Sequence, residues 1–368
     1  TILGGTGDDF IDGDAGNDQI FAGDGADDLR GSEGEDFIDG GAGADQITTN
    51  SGDDTVLFDS DDTVDMGTGF DTLKIETTNT VDFTTLDNNQ FIGIEELDLT
   101  GSGAQSLKLN PTDVVDFSNN SNVLKVHGDS VDGLTLSGNW VDAGTQPVSY
   151  QDAPVVPYLK FTYQVDADTT ATILIDPEIN LSIEYIGSAD GDTLTGSDGD
   201  DTVRGADGND IINGGSGADT LQGEAGEDSI IYDANDILID GGADDDVLQF
   251  ASDANGIVLD FTEIARPNSG ATRPEIDNIE GIDLTGDGSG NNTLIINEAN
   301  VIDQTSNSTT ANTMTIDGAS GDTVYLSDSS GTWTNTGTLN GYDIWTSSGT
   351  PSATLNIASG LHVQEAVI

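Results

Sequence analysis

Aspartates recur every nine residues near the start of the chain, as Asp9, Asp18, Asp27, Asp36, Asp45 and Asp54. Each holds the sixth place of a block whose fourth place is glycine (Gly7, Gly16, Gly25, Gly34, Gly43, Gly52) and whose eighth is aliphatic (Ile11, Ile20, Leu29, Ile38, Ile47, Val56). A carboxylate repeated at one place of a glycine-rich turn offers hard oxygen, and the carbonyls of the turn offer more. That is ligand chemistry for a hard divalent cation. Zinc would want cysteine or histidine, and the chain has no cysteine and two histidines.

The elements that position these carboxylates follow from the same blocks. Six residues rich in glycine and aspartate form neither helix nor buried strand, because glycine loses too much backbone entropy and aspartate competes with the backbone for hydrogen bonds. They make a turn. The remaining three residues make a very short strand of period two with one aliphatic side chain pointing inward. Each strand alone buries almost nothing, so blocks must stack and share a thin aliphatic core.

The six blocks from Gly4 to Leu57 match Gly-Gly-x-Gly-x-Asp-x-aliphatic-x, and at these residues the chain resembles the RTX family of calcium-binding parallel β-rolls. After Leu57 the register slips: Phe58 to Asp65 is one residue short and lacks the glycines, and Met66 to Lys74 restores the pattern with Asp71. Five blocks then run from Gly187, with Asp192, Asp201, Asp210, Asp219 and Asp228 at the sixth place. A degenerate block from Tyr232 to Asp240 follows, and Gly241 to Gln249 restores the pattern with Asp246. The block from Gly187 to Thr195 departs from the family pattern, since Asp190 stands at its fourth place.

The resemblance implies that two blocks form one right-handed coil, odd blocks on one face and even blocks on the other. Asp9, Asp27 and Asp45 then stack along one edge, and Asp18, Asp36 and Asp54 along the other. Stacked carboxylates repel by about 4 kcal/mol per close pair at an effective dielectric near 20, so a positive ion must sit between them. Multiple Ca²⁺ ions fit, because calcium accepts about six to eight oxygens in flexible geometry whereas magnesium keeps its waters. The implied ligands are the thirteen sixth-place aspartates named above. Turn carbonyls join them, such as those of Gly4, Thr6, Asp8, Gly13, Ala15 and Asn17 in the first roll, and Gly205, Asp207, Asn209, Gly214, Ser216 and Ala218 in the second.

The larger repeat is a duplication. Ile94 to Gly101 corresponds to Ile279 to Gly286, Val123 to Leu136 to Thr313 to Leu326, Trp140 to Trp333, and Ala171 to Asp176 to Ala353 to Ala358. The expected fold is all-β: two tandem right-handed parallel β-rolls, each followed by a β-rich capping half. The expected domains are a first roll at 1–76, its capping half at 77–180, a second roll at 181–250 and its C-terminal half at 251–368. Alternation predicts strands at Ser106 to Asn110, Val123 to His127, Gly133 to Ser137, Tyr158 to Val165 and Thr170 to Asp176. Pro111 to Phe117 is predicted as one short helical turn with proline first, and Glu298 to Asp303 as its counterpart. Pro147 to Pro157 and Ala251 to Pro274 match no pattern.

The capping halves resemble tail segments of large adhesins exported by type I secretion from Gram-negative bacteria. The shared features are Glu-x-x-Asp-Leu-Thr-Gly, the strand pair around Gly128 and Asp132 (Gly318 and Asp322 in the second copy), a following tryptophan, and Ala-Thr-Leu near the end. Thr1 to Leu3 is expected to be the tail of a preceding nonapeptide, so a longer parent protein is expected, and Ala353 to Ile368 resembles the natural end of such proteins.

Composition narrows the partners. Sixty-nine acids against eight bases give a formal charge of −61, which argues against nucleic acid and anionic membranes. The charge suits an extracellular setting in which calcium neutralises part of it. No apolar run approaches the roughly 20 residues of a membrane span, and disulfides are excluded.

No His-Glu-x-x-His or Gly-x-Ser-x-Gly motif is present, and His127 and His362 lie far apart. His127 aligns with Asp317 and is expected on a strand face. Trp140, Trp333, Tyr342 and Trp345 are expected to pack in the core rather than to form a sugar platform. Arg266 and Arg273 are expected in a solvated loop. The expected function is a non-catalytic, calcium-folded structural and export region of a secreted surface protein of adhesin type. A self-assembling surface-layer or filament subunit is the alternative, and the calcium-binding or glycan-binding tail of a secreted hydrolase a further one. The partners expected are calcium, the type I export apparatus, and the chain itself or a surface glycan or protein.

Overall fold

The computed structural model describes residues 1–87, 89–101, 103–118, 121–148, 156–251, 256–262, 275–286, 291–305, 312–327, 332–349 and 351–366. Arg266 and Arg273, with Asn268, Ser269 and Gly270, lie outside the described residues. The chain divides into two compact units, Thr1–Ser182 and Ile183–Ile368.

In the first unit short strands of two to six residues stack in parallel on two faces. One face runs through Ile2–Thr6, Gln19–Asp24, Phe37–Ala42, Thr55–Leu57 and Thr72–Lys74. The other runs through Phe10–Asp12, Asp28–Glu33, Gln46–Ser51, Thr63–Asp65 and Phe91–Ile92. Consecutive blocks alternate between faces, and each residue pairs with its equivalent two blocks on, as Ile20 does with Ile38 and Leu29 with Ile47. The coil is therefore two nonapeptides long. Most strands contribute a buried aliphatic rung: Ile20, Ile38, Val56 and Leu73 on one face, and Leu29, Ile47 and Val64 on the other, all fully or almost fully buried.

The parallel ladder does not stop at residue 76. Thr72–Lys74 pairs with Glu96–Asp98, which pairs with Val123–His127, which pairs with Thr170–Ile175. The capping half is thus the same coil with longer turns. A cluster of Phe58, Phe83, Phe91 and Phe117, with ring centroids 5.0–6.0 Å apart, fills the wider interior. The stack ends where Val156–Gln164 adds to Thr170–Ile175 in antiparallel sense and Val141–Val148 adds to it in turn. The helix Pro111–Phe117 forms as expected, with Asn110 and Asp113 closing a capping box at its start.

The second unit repeats this plan. Thr193–Thr195, Ile211–Asn213, Ser229–Tyr232 and Val247–Phe250 stack in parallel and continue through Gly281–Asp283, Thr313–Asp317 and Thr354–Ala358. The ladder again passes the expected boundary at 250. Tyr342–Ser347 and Trp333–Leu339 close it in antiparallel sense. The opposite face carries Thr202–Asp207, Thr220–Ala225, Leu238–Asp240 and Glu275–Asp277. Glu298–Gln304 is the second helix. Trp140 and Trp333 are both buried, at 3% and 5% exposure, so these tryptophans pack rather than present a platform.

One rung per strand makes the core intolerant of truncation. Ile38→Ala, at a position with no exposure, should cost about 2–5 kcal/mol of stability in the calcium-saturated protein. Exposed Gln19→Ala, one coil away, should stay within about 0.5 kcal/mol. Urea unfolding followed by circular dichroism measures both.

Candidate metal sites

Most turns are shaped by left-handed backbone at their second and fourth places. In the first unit the pairs are Gly5 and Gly7, Asp14 and Gly16, Gly23 and Gly25, Ser32 and Gly34, Gly41 and Gly43, and Asn50 and Gly52. This conformation leads the chain around the sixth-place aspartate. The turns then stack, with the third-place carbonyl accepting from the fourth-place N–H of the preceding coil, as in Gly7 N to Asp24 O at 2.6 Å and Gly25 N to Ala42 O at 2.9 Å. Fifth-place side chains add a second tie: Asp8 accepts from Ala26 N at 3.0 Å and Asn17 from Glu35 N at 3.1 Å.

The carboxylates form four ladders. Asp9 N donates to Asp27 Oδ1, Asp27 N to Asp45 Oδ1, Asp18 N to Asp36 Oδ1 and Asp36 N to Asp54 Oδ1, all at 2.7–2.8 Å. In the second unit Asp192, Asp210 and Asp228 make the same links to Asp210, Asp228 and Asp246, and Asp201 N donates to Asp219. One carboxylate oxygen is thereby satisfied. The other is not: Oδ2 of Asp9, Asp27, Asp36, Asp45, Asp54, Asp71, Asp210, Asp219, Asp228 and Asp246 is buried without a hydrogen-bond partner. An orphaned, buried carboxylate oxygen costs several kcal/mol unless a cation meets it.

Where the first residue of the block is glycine, it keeps open the space in front of that oxygen. A Cβ at Gly4 would stand 2.8 Å from Asp9 Oδ2, and one at Gly13 would stand 2.8 Å from the carbonyl oxygen of Gly31 and 3.3 Å from Asp18 Oδ2. In the second unit Gly205 faces Asp210 Oδ2 and the Gly223 carbonyl in the same way, and Gly214 faces Asp219 Oδ2. Carboxylate and carbonyl oxygens thus converge on the side-chain-free face of a glycine. Among the described residues no three His, Cys, Asp or Glu side chains form a cage, so backbone carbonyls must complete any ligand shell. This donor set fits Ca²⁺, which takes carboxylate and carbonyl oxygen together.

Four further acids join the ladders outside the nonapeptide register. Asp62, fully buried, accepts from Asp45 N at 3.0 Å and leaves its own Oδ2 orphaned. Glu95 ends the ladder that starts at Asp18 and Glu280 the one that starts at Asp192, accepting at 3.0 Å from Asp71 N and Asp246 N. Asp236 takes the place of Asp62 in the second unit, with Asp233 N on Oδ2 and Oδ1 unpartnered. The spacing of seventeen from Asp45 was a usable signal for Asp62. For Glu95 and Glu280 no spacing could serve, because the coils there lengthen to twenty-four and thirty-four residues.

Burial governs the protonation of the metal-free chain. It pushes Asp62 and Asp71 up to about 7, Asp236 and Asp246 up to about 8, and Glu280 up to about 7, with neighbouring carboxylates adding to each. His127 is engaged elsewhere, its Nδ1 2.8 Å from both Tyr158 Oη and Asp176 Oδ2.

The sequence profile that describes the RTX calcium-binding nonapeptide repeat (4 copies) matches residues 1–29, 21–56, 186–221, 205–236 and 214–248. The chain thus carries RTX calcium-binding nonapeptide repeats in both units, and such repeats bind Ca²⁺. No curated protein matches the chain.

A pH prediction follows from the raised values. These acids hold a proton in the metal-free fold at pH values where the unfolded chain has released it, so their contribution is present at low pH and lost as pH rises through about 6–8. In chelator, far-UV circular dichroism should therefore show more β structure at pH 5 than at pH 8. In millimolar calcium the order should reverse, because protons compete with the ion for the same oxygens.

Proposed function

We propose that this chain, whose turns are RTX calcium-binding nonapeptide repeats, is the calcium-folded structural and export region of a large secreted cell-surface protein, adhesin-like and without catalysis of its own. The observation that carries this reading is the row of buried carboxylate oxygens that have no partner within the protein. The ligands we assign are Asp9, Asp18, Asp27, Asp36, Asp45, Asp54 and Asp71 in the first unit, with Asp62 added, and Asp210, Asp219, Asp228 and Asp246 in the second. Carbonyls of the first, third and fifth turn residues complete them.

Calcium, when bound, supplies the positive charge that each turn is built around. The protein's part is to hold the oxygens in register. Where calcium is scarce, as in a cytosol, the stacked carboxylates oppose one another and a core of one rung per strand does not compensate. The chain then stays extended enough to thread a type I exporter of a Gram-negative bacterium. Outside, at millimolar calcium, sites with dissociation constants of about 10⁻⁴–10⁻³ M fill and the coils close. Proteins with such repeats are typically secreted, and no helix among the described residues is long and apolar enough to cross a membrane. The first of these supports the reading.

Far-UV circular dichroism in chelator, followed by calcium titration, tests it. The expected result is a largely unfolded apo chain that gains β signal with a midpoint near 10⁻⁴–10⁻³ M calcium. A cooperatively melting, fully β-structured apo protein at pH 8 would sink the reading. Negative-stain electron microscopy in millimolar calcium separates the alternatives: isolated particles are expected, whereas calcium-dependent sheets or filaments would move the function to a self-assembling surface structure.

A further inference from the structure

Two nonapeptide turns differ from all the others. Among the described turns that carry a sixth-place aspartate, only those starting at Gly187 and Gly196 lack left-handed backbone at both the second and the fourth place. Their second residues are Ser188 and Ser197. Ser188 donates to Asp192 Oδ2 through its N–H at 2.6 Å and its hydroxyl at 2.8 Å, and Ser197 does the same to Asp201 Oδ2 at the same distances. Each hydroxyl also accepts from the N–H two residues on, Asp190 N and Gly199 N, at 3.3 Å. The oxygen that is orphaned elsewhere is here doubly satisfied.

Serine in the sequence does not by itself produce this arrangement. Ser32 stands at the same place in the first unit, but with φ of 86° it turns its hydroxyl to Asp12 instead, and Asp36 Oδ2 stays orphaned. At Gly187 the fourth place is Asp190, but Asp244 at the same place of the Gly241 block is left-handed with φ of 81°, so aspartate there does not by itself set the different backbone. The block at Gly196 departs from the nonapeptide pattern only at its second place, as the Gly31 block does with Ser32, so its different backbone is visible only in the structure.

The same solution appears where no nonapeptide exists. Asp132 accepts from Gln105 N on Oδ1 and from Asp129 N on Oδ2, at 2.9 and 2.8 Å. Asp322 accepts from Asn292 N and Ala319 N at 2.8 and 2.7 Å. Both are buried to 1% exposure or less with every carboxylate oxygen satisfied. These turns close on protein donors alone.

We infer that the turns Gly187 to Asp192 and Gly196 to Asp201 hold no calcium, the N–H and O–H of Ser188 and Ser197 standing where the ion stands in the other turns. This inference rests on the calcium reading of the remaining turns. It makes the entry to the second roll independent of calcium, and places the first calcium-requiring turn of that roll at Gly205. The entry coil then offers a closed edge on which Gly205 and the turns after it stack as calcium arrives.

The test counts bound calcium by equilibrium dialysis on the full chain. Asp210→Asn should lose about one ion or more, while Asp192→Asn and Asp201→Asn should match the parent chain. Ser188→Gly with Ser197→Gly frees both carboxylates and should raise the count by about one ion per turn. A loss of calcium in Asp201→Asn equal to that in Asp210→Asn overturns the inference and leaves the calcium reading intact. An unchanged count in Asp210→Asn counts against the calcium reading itself. Should the asparagine variants fail to fold, the serine-to-glycine pair decides: an unchanged count in a folded variant overturns the inference.

Discussion

The structure depends on one oxygen per turn. Most nonapeptides spend one carboxylate oxygen on the N–H of the preceding coil and direct the other at a space in front of the first residue of the block, which is glycine in most blocks. Nothing in the protein meets that second oxygen in most turns. The strands cannot compensate, because three residues with one buried aliphatic side chain contribute at most about 2–3 kcal/mol of hydrophobic stabilisation before the entropy of ordering is subtracted. On the function proposed above, stability is delegated to bound calcium, and an acid excess that would oppose folding of a compact domain becomes the means of controlling it.

The capping halves solve the same problem differently. Their coils lengthen, so each carries more apolar surface: the phenylalanine cluster of the first unit and the two helices occupy space that a nonapeptide coil does not have. Carboxylates there close on backbone donors, as Asp132 and Asp322 do. An antiparallel pair at the end of each stack then covers the last parallel edge, which guards against the edge-to-edge association that open sheets invite.

The two copies have also diverged. Lys125 bonds buried Glu96 at 2.9 Å and lies 5.6 Å from the Phe70 ring in the first unit, where the second has Thr315, Gly281 and Asp245. Before Tyr158 stands His127; before the equivalent Tyr342 stands Asp317, which accepts the tyrosine hydroxyl at 2.8 Å and holds its pKa above the usual value. The duplicated backbone has kept its register while the polar contacts on its face were exchanged.

Much of this was legible in the residues. A period of nine with fixed glycine, aspartate and aliphatic places predicts turns and short strands that stack on a thin aliphatic core, matching segments reveal the tandem duplication, and Pro111 marks the first helix and, by alignment, the second. The two-faced parallel coil was what the resemblance to RTX repeats implied. The fate of each carboxylate does not follow from spacing. Asp201 and Asp219 occupy the same place in well-matched blocks, yet one is closed by Ser197 and the other stays open. Asp62, Glu95 and Glu280 join the ladders from segments whose spacing is irregular. Spacing is a property of the chain and survives in any conformation, whereas the partner of a carboxylate oxygen is set by backbone dihedrals and by residues from another coil, which come together only when the coils stack.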